Sequence, residues 1–556
     1  MVRRYQSGIG TATTWLLIIG IATLICSLCV LCLTPPISRD ALVHHLAVPK
    51  LYIDHGGIYE IPFMAFSYNP MNLDLLYMIP LYFGNDIVPK FIHFSFALLT
   101  ALLILIYLRH RTNRVYALFG MLFFLSLPII IKLSITVYVD LGLLFFSTAS
   151  LLLIMKWLES GFPFRLLILS AICCGLAMGT KYNGLIVFLL LSIFVPFLHA
   201  KYRPEDRVSL IDTLVQSVVF VSLAVLVFSP WMIRNYLWTQ NPFYPLYDQW
   251  FNVQTDISPS AGVLAYRSLI YHEQWWEITL IPVRIFFQGQ DNNPQYFDGK
   301  LNPLLLFLPL FAFLRMKTET QPIMRERMIL LGFAALYFLF VFFTSNMRVR
   351  YVLPMIPPLV LLSVIGLRNS MILISGVVAH WKRRALWIGT FCTVSIFLLM
   401  NVQYVITQFE YIRPFSYLDG SVDRDEFISK HRPEYPVIQY INENLPSNAL
   451  VLFLFMGKRG YYCDRDYVLD MKRDRSTIQE TAEKAGKAED ILRRFLDLRI
   501  THIVMHQRLF VQWMQSSFNP NARLLMQQFM NEYLDLLYTR NGYSLYVFKR
   551  EPFERQ

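Results

Sequence analysis

Long apolar stretches alternate with short charged ones as far as residue 405, and beyond that point the pattern changes. The first run, Thr11 to Leu33, is long enough to cross a bilayer, for which about 20 apolar residues suffice. Further runs lie at 90–108, 115–131, 138–157, 164–179, 184–199, 209–231, 301–314, 328–345, 352–367 and 385–405. Together they predict about 11 transmembrane helices. The piece 371–380, followed by Lys382, Arg383 and Arg384, reads as an interfacial segment on the inner side. Two long stretches contain no full span, 34–89 and 235–298, and both are rich in aromatic residues, Asn and Pro. In the first, residues 41–53 and 71–83 carry the spacing of amphipathic helices suited to the membrane interface.

The basic flanks orient these runs. Arg3 and Arg4 precede the first, and Arg109-His110-Arg111 ends the second. Lys and Arg in short loops mark the cytoplasmic side. The expected topology puts the N-terminus in the cytoplasm, both long loops outside, and the C-terminal part, 406–556, outside as well. The first run lacks a small-x-small cleavage pattern, so it reads as a retained anchor.

From residue 406 charges become dense and apolar runs shrink to strand length, at 449–456, 461–469, 501–506 and 543–549. Helical patterns separate them at 476–498 and 520–537. Strands alternating with helices predict a small α/β domain. The expected architecture is therefore a polytopic α-helical membrane domain, 1–405, followed by a soluble extracytoplasmic α/β domain, 406–556.

Composition agrees with that reading. Of 556 residues, 55% are hydrophobic and only 16% charged, which sets the chain apart from soluble proteins. A net charge of +12 would suggest nucleic acid in a soluble domain, but here the cations are topology determinants between apolar runs, and a nucleic-acid partner is excluded. Six of the seven cysteines fall inside apolar runs, where a thiol behaves as a small hydrophobe. Cys463 is the one in the soluble part, so no disulfide is expected there.

The polar groups hardest to explain structurally fall at the predicted outer ends of the spans. Asp40 follows the first span and Asp140 opens the fourth. Lys181 stands in a turn between spans, Arg234 ends the seventh, and Arg348, Arg350 and Tyr351 follow the ninth. Arg and Lys at span ends can simply snorkel to headgroups, yet outer cations run against the positive-inside trend. A lipid-borne phosphate at the interface needs such donors, and an incoming hydroxyl needs a carboxylate base. His44, His45, Tyr68 and Asn69, in the first loop, are candidate contacts to acceptor or donor. His502 and His506 share one face of a predicted strand, without an acidic partner that would make a metal site. Trp231, Trp275 and Trp276 read as interface-belt residues.

Several motifs in this order resemble one family: Ser38-Arg39-Asp40-Ala41, Tyr138-Val139-Asp140-Leu141, Gly175-Leu176-Ala177-Met178-Gly179-Thr180-Lys181, Ser229-Pro230-Trp231 with Arg234-Asn235, Asn241-Pro242-Phe243-Tyr244-Pro245, and Arg350-Tyr351-Val352-Leu353-Pro354. Over nearly its whole length the chain resembles membrane glycosyltransferases of the GT-C class. The likeness is to the family 39-type group, which includes protein O-mannosyltransferases and the aminoarabinose transferase of lipid A. The resemblance implies a GT-C membrane fold in a bacterial cytoplasmic (inner) membrane. It implies inverting transfer of a hexose or pentose from a polyprenyl-phosphate-linked donor to an envelope glycan, lipid or protein acceptor.

On that resemblance Asp40 is the general base. Asp140 is the second carboxylate, orienting the acceptor or assisting a divalent metal ion, Mg or Mn. Lys181, Arg234, Arg348, Arg350 and Tyr351 hold the donor phosphate. Many members carry an Asp-Glu pair in the first loop, whereas here Asp40 is followed by Ala41. The rival readings are a transporter or flippase of lipid-linked saccharides, an O-antigen ligase or polymerase, and a membrane scaffold whose α/β domain binds a partner. The absence of an internal repeat and of ionisable groups at mid-membrane speaks against the transporter.

Overall fold

A computed structural model describes residues 2–203, 210–252, 263–314, 320–472 and 475–549. The chain divides into two compact units. The first comprises 1–34, 70–76 and 87–414, and the second 35–69, 77–86 and 415–556.

The first unit is helical throughout, as it must be where lipid offers the backbone no hydrogen bonds. Among the described residues, eight helices are long and apolar enough to cross a membrane. Arg114–Ser126 and Pro128–Ser134, bent by 65°, make a ninth if taken as one broken span. Pro128 sits at the first helical turn after the break, where its missing N–H costs nothing. The runs expected at 164–179 and 301–314 are helices too, but shorter ones, Phe164–Thr180 and Leu304–Phe311. The piece 371–380 is not a separate interfacial segment. The helix Ile356–Ser375 takes in its first five residues, and His380–Ile412 starts after a four-residue break. Nothing in 371–375 interrupts helix formation, so apolar periodicity simply runs on.

Close approach of these helices depends on small residues at two places that matter for the site. A Cβ on Gly184 would stand 2.5 Å from the backbone of Ala177 and Met178, so the tight turn from Phe164–Thr180 into Gly184–Tyr202 excludes a side chain there. A Cβ on Gly179 would lie 2.3 Å from the Asn72 amide nitrogen.

In the second unit a five-stranded sheet carries the core. Its strands are β1 (Leu450–Leu454), β2 (Asp466–Leu469), β5 (His502–His506), β6 (Leu534–Arg540) and β7 (Tyr543–Phe548), in the order β2-β1-β5-β7-β6. A small ribbon, β3 (Met471–Lys472) with β4 (Arg475–Ser476), stands apart. The β2-β1-β5 part is parallel and the β5-β7-β6 part antiparallel. Helices Ala488–Asp497, Gln507–Ser517 and Pro520–Tyr533 pack on it through Ile491, Phe495, Phe510, Met526 and Phe529, all buried. Helix was expected to run to 537, but it stops at Tyr533. The reason is local: Asn541 and Gly542, both at positive φ, form the two-residue turn that pairs β6 with β7.

The first-loop residues 35–69 belong to this same unit, where the sequence reading had counted them with the membrane domain. Instead of an amphipathic helix over 41–53, a single π-helical turn, Ala41–His45, leads into a helix, Ala47–His55. Residues 41–49 are buried throughout, which no interfacial helix would be. Hydrogen bonds explain the placement. The Tyr461 amide donates to the Leu42 carbonyl (3.2 Å), and the Tyr462 hydroxyl to Pro36 (2.8 Å). Lys50 Nζ donates to the carbonyls of Tyr461 and Cys463 and to Asp464 (3.1, 2.9 and 2.7 Å). Asp86, 77–86 being the other early segment of the unit, accepts from Arg424 and from the Tyr461 hydroxyl.

Candidate active site

Within the first unit, Asp140 is the centre of a buried polar cluster. It begins the helix Asp140–Glu159, where the partial positive charge of a helix N-terminus favours a carboxylate. Its side chain is 1% exposed, and Oδ1 accepts a 2.6 Å hydrogen bond from Lys181 Nζ. Oδ2 has no hydrogen-bond partner among the described residues. Such an orphan is costly when buried, and it is the oxygen left over for a ligand or for water.

Lys181 ends Phe164–Thr180 in extended conformation. Its ammonium lies 5.7 Å from the ring of Tyr351. The Arg350 guanidinium is 5.5 Å from that ring and 5.7 Å from Tyr138. Tyr138, Asp140, Lys181, Arg350 and Tyr351 therefore come together, from sequence positions up to 213 residues apart. Three formal charges meet here, one carboxylate and two cations, leaving a net charge of +1.

Arg234 stands beside this cluster. It donates to Asn235 Oδ1 (2.9 Å), and Asn235 Nδ2 donates to the hydroxyl of Tyr182, the neighbour of Lys181 (2.9 Å). Its guanidinium lies against Trp231 and Trp238, 4.6 and 4.9 Å from the ring centroids. Trp231 is not a belt residue. It is buried and donates its indole N–H to Asn72 (2.8 Å). Trp275 and Trp276 are exposed.

Arg348 goes elsewhere. It faces Asp298 at 3.6 Å, which also accepts from Lys132 at 3.1 Å, while Lys132 reaches Asp291 at 3.0 Å. Within 263–298, Arg267, Glu273 and Arg284 form a buried ion triad. Residues 253–262 of the second long loop lie outside the described residues.

Two residues that the sequence reading passed over support the cluster. His93 Nε2 accepts from the Leu141 amide (3.0 Å), so its proton is on Nδ1, facing the carbonyls of Leu133 and Thr136. It thereby fixes the start of the helix that carries Asp140. Asn72 bridges Leu176 and Trp231. A signal for His93 existed, since a polar residue inside a span is a functional candidate by default. Asn72 offered none.

The remaining candidates lie in the second unit. Asp40, half-buried, precedes the π-helical turn. His44 is buried and stacks on Phe66 at 4.6 Å, with the His45 ring at 3.9 Å. The Tyr68 hydroxyl donates to Glu60 (2.6 Å), and Asn69 closes the 3-10 turn Ala65–Tyr68. His506 caps the helix Gln507–Ser517, and His502 bonds to Thr501. Among the described residues no group of three or more His, Cys, Asp or Glu is arranged to hold a metal ion.

Comparison with known proteins follows the same lines. Residues 69–241 match the sequence model of the dolichyl-phosphate-mannose-protein mannosyltransferase family. That stretch holds Asp140, Lys181 and Arg234. No curated protein matches the chain by sequence. ArnT from Cupriavidus metallidurans in the apo state superimposes with a TM-score of 0.57 at 12% identity, over 97% of this chain and 98% of that one. The same protein bound to undecaprenyl phosphate gives 0.55 at 13%, over 97% and 99%. The Archaeoglobus fulgidus oligosaccharyltransferase tethered to an acceptor peptide gives 0.50 at 12%, over 96% and 75%. In fold along its whole length, and in sequence over 69–241, this multi-pass membrane protein resembles the GT-C glycosyltransferases that include the protein O-mannosyltransferases and ArnT.

Proposed function

We propose that the chain is a glycosyltransferase that moves a sugar from a polyprenyl-phosphate-linked donor to an acceptor hydroxyl at the outer face of the cytoplasmic membrane. The observation that carries this reading is the net-positive cluster of Asp140, Lys181 and Arg350, which lies buried with one carboxylate oxygen unsatisfied. An anionic phosphodiester is the complement of such a charge. Support comes from the mannosyltransferase match over 69–241 and from the undecaprenyl phosphate bound by ArnT, which shares the fold.

In the reaction, the acceptor hydroxyl oxygen forms a bond to the anomeric carbon while the bond from that carbon to the phosphate oxygen breaks. The bonding electrons leave with the polyprenyl phosphate, whose charge rises by one. Lys181 and Arg350 stabilise that charge, and Asp140 holds Lys181 in place. Asp40 takes the acceptor proton. A single displacement inverts the anomeric centre. Arg234, with two indole faces beside it, contributes a further cation for the donor, and the first-loop residues His44, His45, Tyr68 and Asn69 shape the acceptor side.

The test is transfer in proteoliposomes supplied with polyprenyl-phosphate sugars and an envelope extract. Asp40→Asn should lower the rate by about 10²–10⁴, the usual span for a lost general base. Equal transfer by the wild type and this variant would remove Asp40 from the mechanism. Absence of transfer with every donor would return the chain to the transporter or scaffold readings.

A further inference from the structure

Two helical glycines in the membrane domain, Gly332 and Gly389, have no packing reason to be there, and Gly332 lines a groove. Gly332 lies in the middle of Gln321–Thr344, and a Cβ built on it meets nothing within 4 Å. Its φ is not positive, so no turn requires it. In a helix interior Gly is less favourable than Ala, and here the missing side chain instead leaves open a groove of about 470 Å³ between Gly184–Tyr202 and Gln321–Thr344.

The walls of the groove are apolar. Phe197, Met328 and Leu336 line it and are about half exposed. Its charged end is formed by Lys201 and Arg325. The Arg325 guanidinium stacks on Tyr202 at 4.8 Å, and Lys201 Nζ lies 5.2 Å from Phe197 and 5.6 Å from Tyr202. The nearby carboxylates serve other cations: Glu326 binds Arg111, and Asp212 binds Arg203. Among the described residues neither Lys201 nor Arg325 has a carboxylate partner, and the Arg325 Nε is buried without a hydrogen bond.

We infer that this groove is a binding site for an anionic glycerophospholipid. The phosphate sits between Lys201 and Arg325, and an acyl chain lies over Gly332 along Phe197, Met328 and Leu336. A basic pocket between two membrane helices, continuous with an apolar furrow, is the chemistry that selects an anionic headgroup from the bilayer. The donor lipid of the reaction is a different matter. Lys181 stands just before the helix Gly184–Tyr202 and Lys201 in its last turn, and the 19 residues of that helix span about 28 Å at the usual rise. A carrier phosphate at the Lys181 cluster therefore cannot reach Lys201.

Native mass spectrometry of the full-length protein with defined lipids tests this. Wild type should retain dioleoyl phosphatidylglycerol over dioleoyl phosphatidylcholine by about 30-fold, the combined effect of two cations at headgroup depth. The double variant Lys201→Gln/Arg325→Gln should lose that preference. Gly332→Leu, which changes neither cation and whose Cβ meets no protein atom within 4 Å, should lose retention of both lipids, while Gly332→Ala should keep it and confirm the fold. Equal retention of the two lipids by wild type, unchanged retention by Gly332→Leu, or displacement of phosphatidylglycerol by undecaprenyl phosphate would each overturn the assignment.

Discussion

Lys181 has two duties, and they can be separated. It neutralises a carboxylate whose side chain is 1% exposed, and in the proposed reaction it faces the leaving phosphate. Lys181→Ala strands a buried charge, a change that typically costs about 3–5 kcal/mol. Thermal unfolding in detergent should register that loss. Asp140→Asn combined with Lys181→Met removes both charges and should recover much of the stability, while leaving donor affinity weak. Recovery of both properties together would make the pair purely structural. Gly179→Ala forces a methyl against the Asn72 amide, and Asn72 is tied to Leu176 and Trp231. Overpacking of this kind costs about 1–3 kcal/mol, and the melting temperature should fall accordingly. The sequence disclosed Asp140 and Lys181 because charges at span ends stand out against an apolar background. It could not disclose that they touch, because 41 residues and two helices separate them, and their meeting depends on how helices pack.

At the level of elements, the apolar runs were legible because each must be long enough for the bilayer, and length is readable without any contact information. The β6–β7 hairpin was legible too, in Asn541-Gly542, but the helical pattern of 520–537 masked it. The helix Gln507–Ser517 escaped notice between strand and helix signals. Asp470 ties two elements of the second unit. It accepts from the Ile478 amide (2.9 Å) and from Ser476, whose hydroxyl also caps the helix Thr477–Lys484. Burial outweighs these bonds and pushes its carboxyl from 3.8 up to about 6. Because the folded value is the higher one, the native state binds the extra proton between these limits, and its stability falls as pH rises from about 4 to 6. Two units correspond to about 3 kcal/mol. Hydrogen exchange of the β-strand amides in the full-length protein should quicken over that interval, after correction for intrinsic rates. In Asp470→Asn this additional dependence should vanish, and its persistence would point to another group.

On the scale of the molecule, chain order and spatial order part company. Residues 35–69, which carry Asp40, His44 and His45, form one compact unit with 415–556. Composition marked the later segment as soluble, but nothing in 41–53 announced that its apolar positions would be covered by residues near 461, because partners so distant in sequence leave no local trace. A chain ending at residue 414 should therefore keep its membrane helices yet expose 35–69 to limited proteolysis, whereas the full chain should protect that stretch. Equal protection in both would show that the loop folds without its C-terminal partners. The same arrangement sets a clock on biogenesis. Some 345 residues lie between the end of the first segment and the start of the last. At ~5–20 residues per second, synthesis holds the Asp40 loop without its partners for about 20–70 s. In the proposed reaction, a nascent chain therefore carries Asp40 in an unsupported loop until the segment 415–556 that completes its unit has been made.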